Sequence, residues 1–145
     1  MAIMERQLGA LHAHMTPRRS VHRTLVLGCV AGELRRMGSR IVVQLTDAPA
    51  SSGCMPSVDT MLWSVSEIYG RSGIGVVFSG MGRDGLVGSA RIVDRGGAVL
   101  VQNQQSSAVW GMPRAVAEAG LASAVLAPAE LAVRVASRAE SSSWR

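Results

Sequence analysis

The sequence has no lysine; all 15 of its basic residues are arginines. Aromatic residues are scarce, at 3%, which leaves Val, Leu, Ala, Ile and Met to fill any core. The two cysteines, Cys29 and Cys54, make neither a disulfide framework nor a four-ligand metal site. No metal and no cofactor are expected. No apolar run is long enough to span a bilayer: the longest, residues 25–32, stops at Glu33. Membrane insertion is therefore not expected. Residues 1–24 mix Glu, Arg and His, unlike a signal peptide. A reduced, cytoplasmic location is the expectation.

What is present suits a globular chain. Its 145 residues fit one domain. Hydrophobic residues make up 48% and charged residues 17%, a balance too apolar for disorder. The net charge of +5 favours anionic partners in a general way. The arginines are scattered, however, with no run longer than Arg18-Arg19 or Arg35-Arg36. No basic stripe interleaves with aromatics, so no nucleic-acid partner is expected.

Patterning divides the chain into a poorly defined segment at 1–24, a domain at 25–139 and a flexible tail at 140–145. Leu25-Val26-Leu27 and Ile41-Val42-Val43-Gln44-Leu45 are rich in branched residues and read as two strands of a hairpin, with Gly38-Ser39 as a turn before the second. Residues 46–56 read as a loop. Ser57 is the expected N-cap of a helix that carries Met61, Leu62, Val65, Ile68 and Tyr69 and ends at Gly70 and Gly73. Strands then alternate with helices: strands at 74–78, 98–102 and 122–126, helices at 86–93, 113–118 and from Pro128 onward. This alternation predicts an α/β fold, a partial doubly wound and mainly parallel sheet with a β-hairpin near the N-terminus. Chemistry in such sheets gathers at the carboxyl edge, beyond Phe78, Gln102 and Leu126.

One loop at that edge stands out: Ser79-Gly80-Met81-Gly82-Arg83-Asp84-Gly85. It fits G-x-G-x-x-G, the dinucleotide fingerprint. That reading requires an acidic residue about 20 positions on, where this sequence has Gln102-Asn103-Gln104-Gln105. Asp84 would also face the pyrophosphate. Nucleotide binding is thus disfavoured. Two readings of Asp84 remain at this level: a carboxylate that orients a histidine in a nucleophile–base–acid relay, or a cap on the helix that follows. Backbone N–H groups of the same turn could receive an oxyanion.

Several motifs in order carry a more specific signal. They are Cys54-Met55-Pro56-Ser57-Val58-Asp59, Gly80-Met81-Gly82-Arg83-Asp84-Gly85, Arg95-Gly96-Gly97, Gln102, Ser106-Ser107, Gly111-Met112-Pro113-Arg114-Ala115 and Glu118-Ala119-Gly120. Together they resemble the catalytic domain of the CheB-type chemotaxis protein-glutamate methylesterases, over roughly 25–136. The resemblance implies a carboxylic-ester hydrolase acting on glutamyl methyl esters of methyl-accepting chemotaxis receptors. It makes Asp84 the relay acid and Met81 an oxyanion donor through its backbone N–H.

The family's nucleophile lies in a G-A-S-T-G-G type turn and its base in a Q-H-M-P type motif. Both lie upstream of the hairpin, where this sequence has about two dozen residues. No G-x-S-x-G-G occurs; Leu27-Gly28-Cys29-Val30-Ala31-Gly32-Glu33 has Val30 at the serine position. Ala13-His14-Met15-Thr16-Pro17 makes His14 the candidate base, closer to the hairpin than the family pattern places it. Cys54 and Ser79 lie near the expected edge, but neither has a partner in the sequence that marks it as a nucleophile. The expectation is a truncated methylesterase, inactive alone, with a non-catalytic receptor- or partner-binding remnant as the alternative. A parallel sheet without its first strands has an exposed edge, which predicts self-association.

Overall fold

The computed structural model describes residues 31–46 and 53–141. Three short runs of apolar and branched residues become parallel strands: β3 (Ile74–Val77), β4 (Ala98–Gln102) and β5 (Ala124–Leu126). They lie in the order β3-β4-β5, with Val76 opposite Leu100 and Val101 opposite Val125. The helices α1 (Val58–Tyr69), α2 (Leu86–Asp94), α3 (Met112–Glu118) and α4 (Pro128–Ser141) surround this sheet. A 3-10 turn, Gly70–Ser72, follows α1.

The central strand explains the layering. Val99, Leu100 and Val101 are all buried, and successive side chains of a strand point to opposite faces. Val99 and Val101 join Leu62 of α1, Ile92 of α2, Val116 of α3 and Val77 in one cluster. Leu100 points the other way, to the face where α4 meets β4 and buries Leu131 and Ala132. Helices therefore cover both faces, as in a doubly wound sheet. Where α1 and α2 cross, residue 88 must be glycine. A Cβ there would lie 2.7 Å from Leu62 Cβ and 2.8 Å from the Asp59 carbonyl oxygen.

The expected hairpin exists, but with a different first strand. β1 (Ala31–Met37) pairs antiparallel with β2 (Arg40–Thr46), Met37 standing opposite Arg40 across Gly38-Ser39. A two-residue turn fixes that register and makes the chain just before it the partner. Leu25-Val26-Leu27 lies outside the described residues. Glu33, Arg35 and Arg36 interrupt the apolar alternation of β1, and the hairpin tolerates them because Arg35 and Arg36 face solvent. The other elements match their expected places, with several ends shifted by one or two residues. β3 stops at Val77 rather than Phe78, and the last strand begins at Ala124 rather than Ala122, since Val99 N–H donates to the Ser123 hydroxyl instead of a strand carbonyl there. Among the described residues, no helix is long and apolar enough to cross a membrane.

Candidate active-site edge

The loops after β3 and β4 meet at the carboxyl edge of the sheet, and Gln102 joins them. This side chain ends β4 and is fully buried. Its Oε1 accepts from the Ser79 N–H at 2.8 Å, and its Nε2 donates to the Ser106 carbonyl at 2.7 Å. Its own carbonyl accepts from Trp110 Nε1. Such an amide is tolerated in a core only when both ends are satisfied.

The glycine loop is then pinned a second time. Gly80 N–H donates to the Val109 carbonyl, and the Gly80 carbonyl accepts from Gly111 and Met112. Ser79 Oγ donates to the Val109 carbonyl at 3.2 Å and accepts from its N–H at 3.0 Å. Ser79 is thus a turn hydroxyl committed to backbone. A Cβ at Gly111 would come within 2.7 Å of the Gly80 carbonyl oxygen, so only glycine admits this close approach.

Asp84 sits at the end of that loop and is 8% exposed. It does not cap the helix that follows, α2, whose N-cap is Gly85: its hydrogen bonds go to residues 57–59. The carboxylate instead turns to α1. Oδ2 accepts from Val58 N–H at 2.7 Å, and Oδ1 accepts from Ser57 Oγ at 2.9 Å and Asp59 N–H at 3.2 Å. Ser57 is the expected N-cap of α1, and it also receives Thr60 N–H at 3.5 Å. An anion at a helix N-terminus meets unpaired amides and the positive end of the dipole. A carboxylate offers about four acceptor positions. Three donors thus hold this carboxylate, and the Asp59 carboxyl lies within hydrogen-bond reach of it as well.

Three residues earlier, the Met81 side chain is 85% exposed. Among the described residues its N–H has no hydrogen-bond partner. Asp84 and Met81 therefore share one rigid loop, a buried carboxylate at one end and an available donor near the other. His14 lies outside the described residues, as do His12, His22 and Cys29. Cys54 is half-buried. No group of three or more potential metal ligands occurs among the described residues.

Two residues of this edge carry more than the sequence assigns them. Ser57 bonds Asp84 as well as capping α1. Gln102 ties two loops together, and its signal was a polar side chain at the end of an otherwise apolar strand. Asp59, next to Asp84, has its carboxyl pKa raised, by burial first and by the Asp84 charge as well, against the lowering effect of the Gly88 N–H.

Comparison with known proteins accounts for this arrangement. The sequence matches the CheB methylesterase family over residues 10–135. It is 44% identical over 105 residues to a protein-glutamate methylesterase/protein-glutamine glutaminase of Trichodesmium erythraeum, covering 72% of this chain and 30% of that one. It is 39% identical over 114 residues to the protein of the same name from Nitrobacter hamburgensis, covering 79% of this chain and 30% of that one. The chain thus spans about a third of the length of these relatives. Its fold matches the Thermotoga maritima CheB methylesterase catalytic domain with a TM-score of 0.72 and 28% identity, over 76% of this chain and 58% of that one. A family match across most of the chain, an ordered set of shared motifs and a common fold agree that the chain belongs to the CheB methylesterase family.

Proposed function

We propose that this chain forms the carboxyl-terminal part of a protein-glutamate methylesterase site, its domain portion being 25–139. It would contribute the relay acid, Asp84, and an oxyanion donor, the Met81 N–H. The substrate is a glutamyl methyl ester on a methyl-accepting chemotaxis receptor, met in the cytoplasm. The nucleophile is a serine in a G-x-S-x-G-G turn and the base a histidine in a Q-H-M-P motif, neither of which the 145 residues contain. His14 is this sequence's own candidate for the base.

The serine oxygen attacks the ester carbonyl while the histidine takes its proton. The carbonyl oxygen becomes an oxyanion, and the Met81 N–H donates to it. The histidine returns the proton to the leaving methoxide, which departs as methanol. Water then hydrolyses the acyl-serine by the same route. Asp84 holds the histidine in the required tautomer and stabilises its cation. The observation that carries this reading is the Asp84 carboxylate at the sheet's carboxyl edge, held in place by three donors.

The test is methanol release from methylated receptor. The chain alone should be about a millionfold slower than a complete site, as is usual when the nucleophile is absent. Addition of an amino-terminal CheB segment bearing the serine turn and the histidine motif should restore turnover. Turnover by the unmixed chain at the rate of a complete enzyme contradicts the scheme. Receptor binding without restored turnover supports the non-catalytic remnant instead.

A further inference from the structure

The Pro56-Ser57-Val58-Asp59 run is part of the family resemblance, yet the scheme above gives Asp59 no task. Its geometry is reciprocal to that of Asp84. Asp84, in the loop leading into α2, accepts from the first two amides of α1. Asp59, on the first turn of α1, accepts from the Gly88 N–H on the first turn of α2 at 2.7 Å. Each carboxylate caps the helix that belongs to the other. Little slack exists between them, because the helices touch at Gly88 with no room for a Cβ. Moving the first turn of α1 therefore moves every donor that holds Asp84.

We propose that Asp59 is a positioning residue for Asp84, fixing that carboxylate through its own backbone N–H and through its side-chain clamp on Gly88. The proposal rests on the reading of Asp84 as the relay acid. Among the described residues, the groups that act on the Asp59 carboxyl are the Asp84 carboxylate and the N–H groups of Gly85 and Gly88. Asp84 is thus its titratable neighbour, and burial and that neighbour together raise the pH at which Asp59 ionises.

The experiment follows the Asp84 carboxyl carbon and the Val58 and Gly88 amides by NMR in the intact 145-residue chain, from pH 3 to pH 8. In the parent protein, the Asp84 and Gly88 signals should share an inflection where Asp59 titrates. Asp59→Asn keeps an oxygen for the Gly88 N–H but cannot ionise. It should remove that inflection and leave the Asp84 and Val58 signals near their parent positions. Asp59→Ala has no acceptor and should displace both. An Asp84 signal blind to Asp59 ionisation, or unmoved in Asp59→Ala, overturns the proposal. If Asp59→Ala does not fold, the Asp59→Asn titration decides alone. In a site completed with the serine and histidine segment, Asp59→Ala should lower kcat about 10- to 100-fold at unchanged KM, and Asp59→Asn should restore most of it. If the NMR results hold but Asp84→Asn leaves turnover intact, positioning stands and the relay reading fails.

Discussion

Asp84→Ala should weaken the fold as well as any chemistry. The substitution leaves Ser57 Oγ, Val58 N–H and Asp59 N–H without their acceptor, at 2.9, 2.7 and 3.2 Å in the parent. Hydrogen bonds to a charged group contribute about 1.5–3 kcal/mol each, and an unsatisfied buried donor costs about 1–3 kcal/mol. Water reaching the first turn of α1 recovers part of this, and loss of a helix cap typically costs about 1 kcal/mol and at most about 2. A net loss of about 3 kcal/mol follows. For a chain of this size each kcal/mol shifts Tm by about 2–4 °C, so a drop of about 6–12 °C is expected. Circular dichroism measures the melt, and amide exchange locates the damage: Val58 and Asp59 should exchange faster, whereas β4 amides should change only with global stability. A Tm within about 2 °C of the parent, with Val58 still protected, refutes the reasoning.

Other consequences follow from the same geometry. The raised folded-state pKa of Asp59 means that the native state binds more protons than the unfolded chain between the ordinary value of 3.8 and the raised one. That contribution is fully present below 3.8 and is lost as pH rises through the folded value. The stability of Asp59→Asn relative to parent should therefore rise across that window in urea melts; a constant difference from pH 3 to pH 7 contradicts it. Ser89 Oγ is buried with no hydrogen-bond partner among the described residues, so Ser89→Ala should gain about 1 kcal/mol in the same melts, and a loss would show an unrecognised partner. Among the described residues the outer edge of β3 is unpaired, and self-association through it should appear as concentration-dependent sedimentation. A monomer at every concentration removes that proposal.

The strand and helix pattern from 57 onward is legible because local signals agree with the final packing. Ser57 starts α1, and Pro113 stands in the first turn of α3. The β1 strand is hidden because its arginines and glutamate break the alternation, and only the turn at Gly38-Ser39 fixes its register. The loop bearing Asp84 is equally visible, since glycines at 80, 82 and 85 mark it. What Asp84 bonds is not visible. Its partner Val58 lies 26 positions away, and a helix cap read locally points to the helix that follows rather than to α1. Gln102 escapes for the same reason: its role appears only when Ser79, 23 positions earlier, arrives beside it.

The most direct test of the central claim measures kcat for methanol release in the completed site with Asp84 and with Asp84→Asn. The asparagine is nearly isosteric, but under the proposed relay it would not hold the histidine in the required tautomer. Turnover should fall by about four orders of magnitude, while circular dichroism shows the variant folded. Equal turnover by the folded Asp84→Asn protein would contradict the assignment of this carboxylate as the relay acid.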